Sequence, residues 1–421
     1  MPDNKNTPDI IWIAAAYFIE GLPNAVCAGI AMLFYSSMGV GLGLASLITS
    51  LIYLPWCVKA LWAPVVDMRS TKRNWVLKCA FAMFAIFGAL ALACFSEFFV
   101  AITALLFWLL AFASATYDIS ADGFYILALN TQKQAFYVGL RSAFYKIAAV
   151  FAQGVLVGFA GLLISRFSFE KPAAWGCAFA LCGLITLVMW GAMRAFLPEV
   201  ESGKNSARAG KNIFSVFGEF FAKPHIANIL LFVLLYRFAE AQLVKISQPF
   251  LIAEISAGGL ELPLENVGLL YGTIGTICLF AGSILGGMLI AKCGLRSTLW
   301  YMALAINLPN IVYLIMSVMP AVSSLQATAF VSAEQFGYGF GFAGYMAFLL
   351  LAATGKNKTS QYALLTAFMA VGYMLPGNFA GYLQEFFGYK NFFIWIMLCT
   401  LVSFASLIPA YRYLKTLNCR N

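Results

Sequence analysis

Short polar breaks cut the chain into long apolar runs, and the length of those runs decides what it can become. About 20 apolar residues in a helix cross the roughly 30 Å hydrocarbon core of a bilayer. Runs of that length occupy residues 10–38, 44–66, 75–95, 98–127, 136–165, 172–196, 225–253, 265–291, 297–319, 322–353, 360–386 and 391–413. The expected fold class is an all-α membrane protein with twelve transmembrane helices. Composition points the same way. The chain is 62% hydrophobic and 10% charged, whereas soluble domains are about 45–50% apolar and about 25% charged. The opening segment, MPDNKNTPDI, has no basic n-region and no cleavage site. The first run is therefore expected to be a retained span and not a signal peptide.

The net charge of +9 is not a nucleic-acid signal, because the basic residues cluster in the breaks between spans. With both termini in the cytoplasm, roughly 18 Lys and Arg fall inside and about 3 outside, as the positive-inside rule requires. The inner set includes Arg69, Lys72, Arg73, Lys204, Arg208, Lys211, Lys292, Arg296, Lys356 and Lys358; the outer set is Arg166, Lys171 and Lys390. The longest break, LPEVESGKNSARAGKN, follows the sixth span. It predicts a six-helix bundle over 1–196, a cytoplasmic linker over 197–224 and a second six-helix bundle over 225–421. Within the linker, Ile213, Phe214, Phe217, Phe220 and Phe221 share one helical face, which suits a short helix lying in the membrane interface.

Charges inside the spans need a reason, since each is expensive in hydrocarbon. Asp118 and Asp122 of SATYDISADGFY stand one turn apart on the fourth span, on one face. Counted from the turn near Thr131, Asp122 is about nine residues up and Arg141 about ten; Asp118 is about thirteen and Lys146 about fifteen. The matched depths predict Asp122 with Arg141 and Asp118 with Lys146, with Lys59 of the second span as a competitor for either. Glu20 lies near mid-depth in the first span, beside Gly21 and Pro23, where the helix is expected to weaken. The seventh span carries Arg237, Glu240 and Lys245, the first two at i, i+3; the tenth carries Glu334 and Gln335 ahead of Gly337, Gly339, Gly341 and Gly344. These glycines allow close helix packing.

Two readings of the charges stand side by side. They form a structural lattice that ties helices together, or they bind protons and an anionic solute. In the second reading Asp118, Asp122 and Glu20 couple protons. Lys59, Arg141, Lys146, Arg237, Glu240, Lys245, Glu334 and Gln335 then form the solute site. A carboxylate that meets a cation in one conformation and loses it in another takes up and releases a proton. Ten cysteines without C-x-x-C spacing and a lone His225 give no metal or disulfide pattern, and no cofactor is expected.

The break after the second span, APVVDMRSTKR, and that after the eighth, GGMLIAKCGLR, both resemble the G-x-x-x-D-R/K-x-G-R/K-R loop of the major facilitator superfamily. The first copy keeps Asp67 and its basic run with Ala63 in place of glycine; the second keeps Gly287, Lys292, Gly294 and Arg296 with Ala291 in place of aspartate. The resemblance implies two parallel six-helix halves around a mid-membrane site, and a cytoplasmic gate at Asp67, Arg73, Lys292 and Arg296.

The stretches EGLPNA, YLPWCVKALWAPVVD, SATYDISADGFY, EQFGYGFGFAGYMAFLL and SQYALLTA further resemble the AmpG-type muropeptide permeases of that superfamily. Asp118 and Asp122 fall on the family's aspartates. Tyr117 stands where glutamine is usual, Lys146 where arginine is usual, and Glu20 is more acidic than its counterparts. This resemblance implies proton symport of anhydro-muropeptides into the cytoplasm across a bacterial inner membrane, by a monomer whose partners are the solute, protons and the bilayer. Another anionic solute (acetyl-CoA-like, a sugar or a peptide) is the alternative. A polytopic membrane enzyme is disfavoured by the lack of a nucleophile–base or metal-ligand motif, a sensor by the lack of an output domain, and ATP-driven transport by the lack of a phosphate-binding loop.

Overall fold

The computed structural model describes residues 9–200, 218–354 and 358–418. Each expected apolar run is helical. They are α1 (Asp9–Ser37), α2 (Leu42–Val58), α3 (Lys72–Ala93), α4 (Phe99–Ala128), α5 (Gln132–Ser165) and α6 (Lys171–Phe196). After the linker come α7, in two pieces (Ile226–Leu235 and Phe238–Ile252), then α8 (Leu264–Cys293), α9 (Leu295–Val318) and α10 (Ser324–Ala352). The last long helix, Lys358–Ala405, turns at Gly388, where φ is 71°. That left-handed residue separates α11 (358–387) from α12 (389–405), and a final helix, Leu407–Asn418, continues α12. The linker residues Lys204, Arg208, Lys211, Ile213, Phe214 and Phe217, and Lys356 in the later break, lie outside the described residues, as do the side chains of Asp67 and Lys358. At the linker's end Phe220 is buried and stacks on Phe368 with ring centroids 5.9 Å apart.

The helices gather into two compact units. One holds most of α1, with α3–α6 and the segment from Val58. The other holds α7–α12 together with residues 35–57, which carry most of α2. This grouping differs from the chain-order halves in that one element. The reason is visible at α11. A Cβ on Gly381 would sit 1.8 Å from the Leu42 carbonyl oxygen, so the absence of a side chain there lets the two backbones touch. Glu385 of α11 also accepts a hydrogen bond from the Gly43 backbone N–H at 2.9 Å, satisfying a donor that the first turn of α2 leaves open.

Helices in lipid gain little from burying apolar surface against each other, and packing and interhelical hydrogen bonds hold them instead. In the first unit Phe34 meets Phe107, Trp175 and Phe179 at 5.3–6.0 Å between ring centroids, all edge-on. In the second, Tyr236 and Tyr345 stack 5.3 Å apart, and each donates to a carbonyl of another helix: Tyr236 to Gly341 at 3.1 Å and Tyr345 to Val233 at 2.6 Å. Such bonds average only about 0.6 kcal/mol in membrane helices, so backbone proximity carries more of the association.

That proximity is tightest between α8 and α10. A Cβ on Gly339 would fall 2.0 Å from the Leu279 carbonyl oxygen, and one on Gly282 would fall 2.1 Å from that of Phe336. Gly337 and Gly341 face α9 and its carbonyls in the same way. Backbone oxygens cannot swing aside, so any larger residue drives the helices apart. Gly339→Val is expected to destabilise the detergent-solubilised protein by roughly 1–3 kcal/mol or more. Gly287→Ala, where a Cβ would meet nothing within 4 Å, is expected to leave its thermal transition unchanged. Thermal unfolding of the two variants checks the contrast.

Candidate functional site

In the first unit the approach of α1 to α5 sets the geometry. Gly21 permits it, since a Cβ there would lie 2.4 Å from the Tyr145 carbonyl oxygen. The sequence led us to expect a weakened helix at Gly21 and Pro23; instead α1 runs through both to Ala25 and widens into a π-turn over Val26–Ile30. Gly21 thus serves contact rather than a break, and the irregularity falls one turn later. Tyr117, the residue before the first aspartate, is buried and donates to the Ala16 carbonyl at 2.9 Å, fixing α4 to α1.

On this frame the charges meet. Arg141 Nη2 lies 2.8 Å from Asp122 Oδ1, the pairing that matched depth predicts. Tyr17 donates its hydroxyl to the same oxygen at 3.2 Å, and its ring lies under the guanidinium, 4.5 Å from Cζ. Lys59 Nζ, of the residue expected to compete for either aspartate, lies 3.5 Å from Asp118 Oδ2. Lys146, one turn past Arg141 on α5, is exposed. Glu20 is 9% exposed, and its Oε2 has no hydrogen-bond partner among the described residues. Tyr17 was missed in the sequence, although it precedes Glu20 by three residues and so shares its helix face.

Accessibility separates these pairs from those of the second unit. Asp122 and Arg141 keep 44% and 30% of their side-chain surface open. Glu240 and Arg237 keep 2% and 10%. Arg237, at the break in α7, grips Glu240 with two bonds, Nε to Oε2 at 2.7 Å and Nη2 to Oε1 at 3.1 Å. Its Nη2 also reaches the Tyr338 hydroxyl at 3.2 Å, and Phe342 and Tyr373 lie under the guanidinium at 5.1 Å. A bidentate, aromatic-walled pair of this kind holds the two pieces of α7 against α10 and α11.

Lys245 is different. It is 2% exposed, and its Nζ donates to Thr49 Oγ1 at 3.0 Å. The rings of Tyr53 and Tyr373 stand 5.7 and 5.9 Å away. No carboxylate lies within ion-pair distance of it among the described residues. Ser50 Oγ, on the turn beside Thr49, is buried with no partner there. A single C–H of Gly377 faces both groups, for a Cβ would meet Ser50 Oγ at 3.1 Å and Lys245 Cε at 3.3 Å. Thr49, Ser50 and Tyr373 carried no charge to mark them in the sequence.

The remaining candidates lie apart. Glu334 and Gln335 are joined to each other and to tyrosines of α8 and α9. Arg73 donates to the Leu197 carbonyl at 3.3 Å and lies 3.8 Å from Glu199, closing the end of α6. Lys292 and Arg296 are exposed on either side of the Gly294 turn. No three His, Cys, Asp or Glu side chains among the described residues stand close enough to hold a metal ion.

No family model matches the chain. A putative transporter AmpG 3 of Rickettsia typhi is 24% identical over 397 residues, 88% of this chain and 87% of that protein. An anhydromuropeptide permease of Escherichia coli K12 is 22% identical over 392 residues, 90% of this chain and 74% of that protein. Among solved structures, the nucleoside transporter NupG superposes with a TM-score of 0.74 at 13% identity, covering 95% of this chain and 99% of the other. The chain therefore shares the fold of that solved transporter and is similar along nearly its whole length to proteins named as AmpG transporters and anhydromuropeptide permeases.

Proposed function

We propose that this secondary transporter imports anhydro-muropeptides or a related anionic amino-sugar solute into the bacterial cytoplasm by proton symport. The observation that carries the reading is the pair of carboxylates on one face of α4, each met by a partly exposed cation: Asp122 by Arg141 and Asp118 by Lys59. An ion pair open to water exchanges partners readily, because its net stabilisation is about 1 kcal/mol or less. Withdrawal of Arg141 or Lys59 towards a solute anion leaves an aspartate to bind a proton; return of the cation expels it. Glu20, with no cation in ion-pair distance among the described residues, joins this proton-binding set. The relative named as an anhydromuropeptide permease supports the substrate class.

Lys245 is the proposed anchor for the solute's carboxylate, with the Thr49 and Ser50 hydroxyls beside it, and Lys146 a further cation. Asp67, Arg73, Lys292 and Arg296 are proposed as the cytoplasmic gate between two six-helix bundles, with both termini in the cytoplasm and the protein acting as a monomer.

Two outcomes follow for proteoliposomes and the disaccharide GlcNAc–anhydroMurNAc. Asp118→Asn and Asp122→Asn are each expected to abolish accumulation against a gradient while the protein stays folded and inserted, with the fold of each variant checked separately. Uphill uptake at the wild-type rate in both variants would rule out coupling through α4. Lys245→Gln is expected to raise the half-saturating solute concentration about tenfold or more, as loss of a charge-assisted hydrogen bond worth roughly 1.5–3 kcal/mol requires. An unchanged value would remove Lys245 from the solute site.

A further inference from the structure

Glu334 stands in α10, 4% exposed. Its Oε2 accepts from Gln335 Nε2 at 2.9 Å and from the Tyr313 hydroxyl of α9 at 3.4 Å. Tyr313 in turn shares a 2.7 Å hydrogen bond with the Tyr271 hydroxyl of α8. Both tyrosines are buried. The groups facing Glu334 are thus neutral: an amide on its own helix and two phenols on its neighbours. Glu240 of α7 acts on it electrostatically, and its own charge is met by Arg237. Tyr338, one turn along α10, is turned to that arginine. No Lys or Arg lies within ion-pair distance of Glu334 among the described residues.

Glu240 and Glu334 therefore show the two ways a carboxyl survives burial. Glu240 stays ionised by taking both arms of a guanidinium. Glu334 has no counter-ion, and a buried carboxyl without one is stable only in its neutral form. Both donors, Gln335 and Tyr313, converge on Oε2, which marks it as the carbonyl oxygen and leaves Oε1 to carry the proton.

Depth adds direction. Glu334 lies ten residues from the start of α10, Tyr313 five from the end of α9 and Tyr271 seven from the start of α8. At about 1.5 Å per residue these are roughly 15, 8 and 10 Å from the same side of the membrane. With both termini in the cytoplasm that is the outer side. Asp118 and Asp122, nineteen and twenty-three residues from the outer start of α4, lie nearer the inner one.

We propose that Glu334 is a second proton-binding carboxyl, in the outer part of the second unit, hydrogen-bonded through Tyr313 to Tyr271. Its role in coupling rests on the symport reading; its protonation does not. Infrared spectroscopy of the purified protein at neutral pH, without solute, tests it. The C=O stretching band of a protonated carboxylic acid is expected to lose one carboxyl's intensity in Glu334→Gln. The band component is also expected to move to higher frequency in Gln335→Leu, which removes a donor to the carbonyl and keeps the acid. An unchanged band in both variants overturns the proposal, and Gln335→Leu decides alone if Glu334→Gln does not fold. The band in protein that takes up no GlcNAc–anhydroMurNAc would fault the substrate reading and leave Glu334 standing. Uptake with no such band would fault Glu334 and leave that reading intact.

Discussion

A charge in hydrocarbon is stable only with a partner or as a neutral group, and the arrangement of α4, α5, α7 and α10 answers to that constraint. Arg237 and Glu240 meet it by a closed, bidentate contact walled by Phe342 and Tyr373. Asp122 and Arg141 meet it with a short but open contact. The two contacts differ in exposure, and with it in how readily they open. A sealed pair is a strut, since removing either member strands the other. An open pair is exchangeable, since water can replace either partner at little loss. Lys245 and Glu334, each buried without an opposite charge among the described residues, fall in a third class. Each has a hydroxyl of a neighbouring helix as a hydrogen-bond partner.

Backbone contact makes those charges meet. Gly21 brings α1 onto α5 and so sets Tyr17 under Arg141. Gly339 and Gly282 bring α8 onto α10, the pair that carries Tyr271 and Glu334. Because lipid offers little driving force for apolar burial between helices, removal of a side chain is the most direct means of drawing two helices together. The polar groups then fall within hydrogen-bond reach as a consequence.

Much of this was legible in the sequence. Run length located the helices among the described residues, since the bilayer thickness imposes a minimum that soluble cores do not. Equal depth from the α4–α5 turn gave the Asp122–Arg141 contact, and i, i+3 spacing gave Arg237–Glu240. Rotation about the helix axis was harder to read. Lys59, expected only as a competitor, meets Asp118, because depth alone does not say which neighbour faces it. Thr49, Tyr53, Tyr271, Tyr313 and Tyr373 went unmarked: hydroxyls and rings are common in spans, and only the packed structure shows which of them surround a lone charge. The helix at Gly21 and Pro23 misled for a related reason. Glycine reads equally as a weak point and as a contact, and the partner that decides between them, Tyr145, is 124 positions away in the chain.

Coupling through the α4 carboxylates means that solute and proton cross together. The most direct measurement is the internal pH of vesicles that contain the wild-type protein and a trapped pH-sensitive dye, with no gradient imposed at the start. Addition of GlcNAc–anhydroMurNAc outside should acidify the lumen of vesicles whose protein faces as in the cell, at a rate that follows solute entry. Solute entry at an undiminished rate with the internal pH unchanged would contradict proton symport.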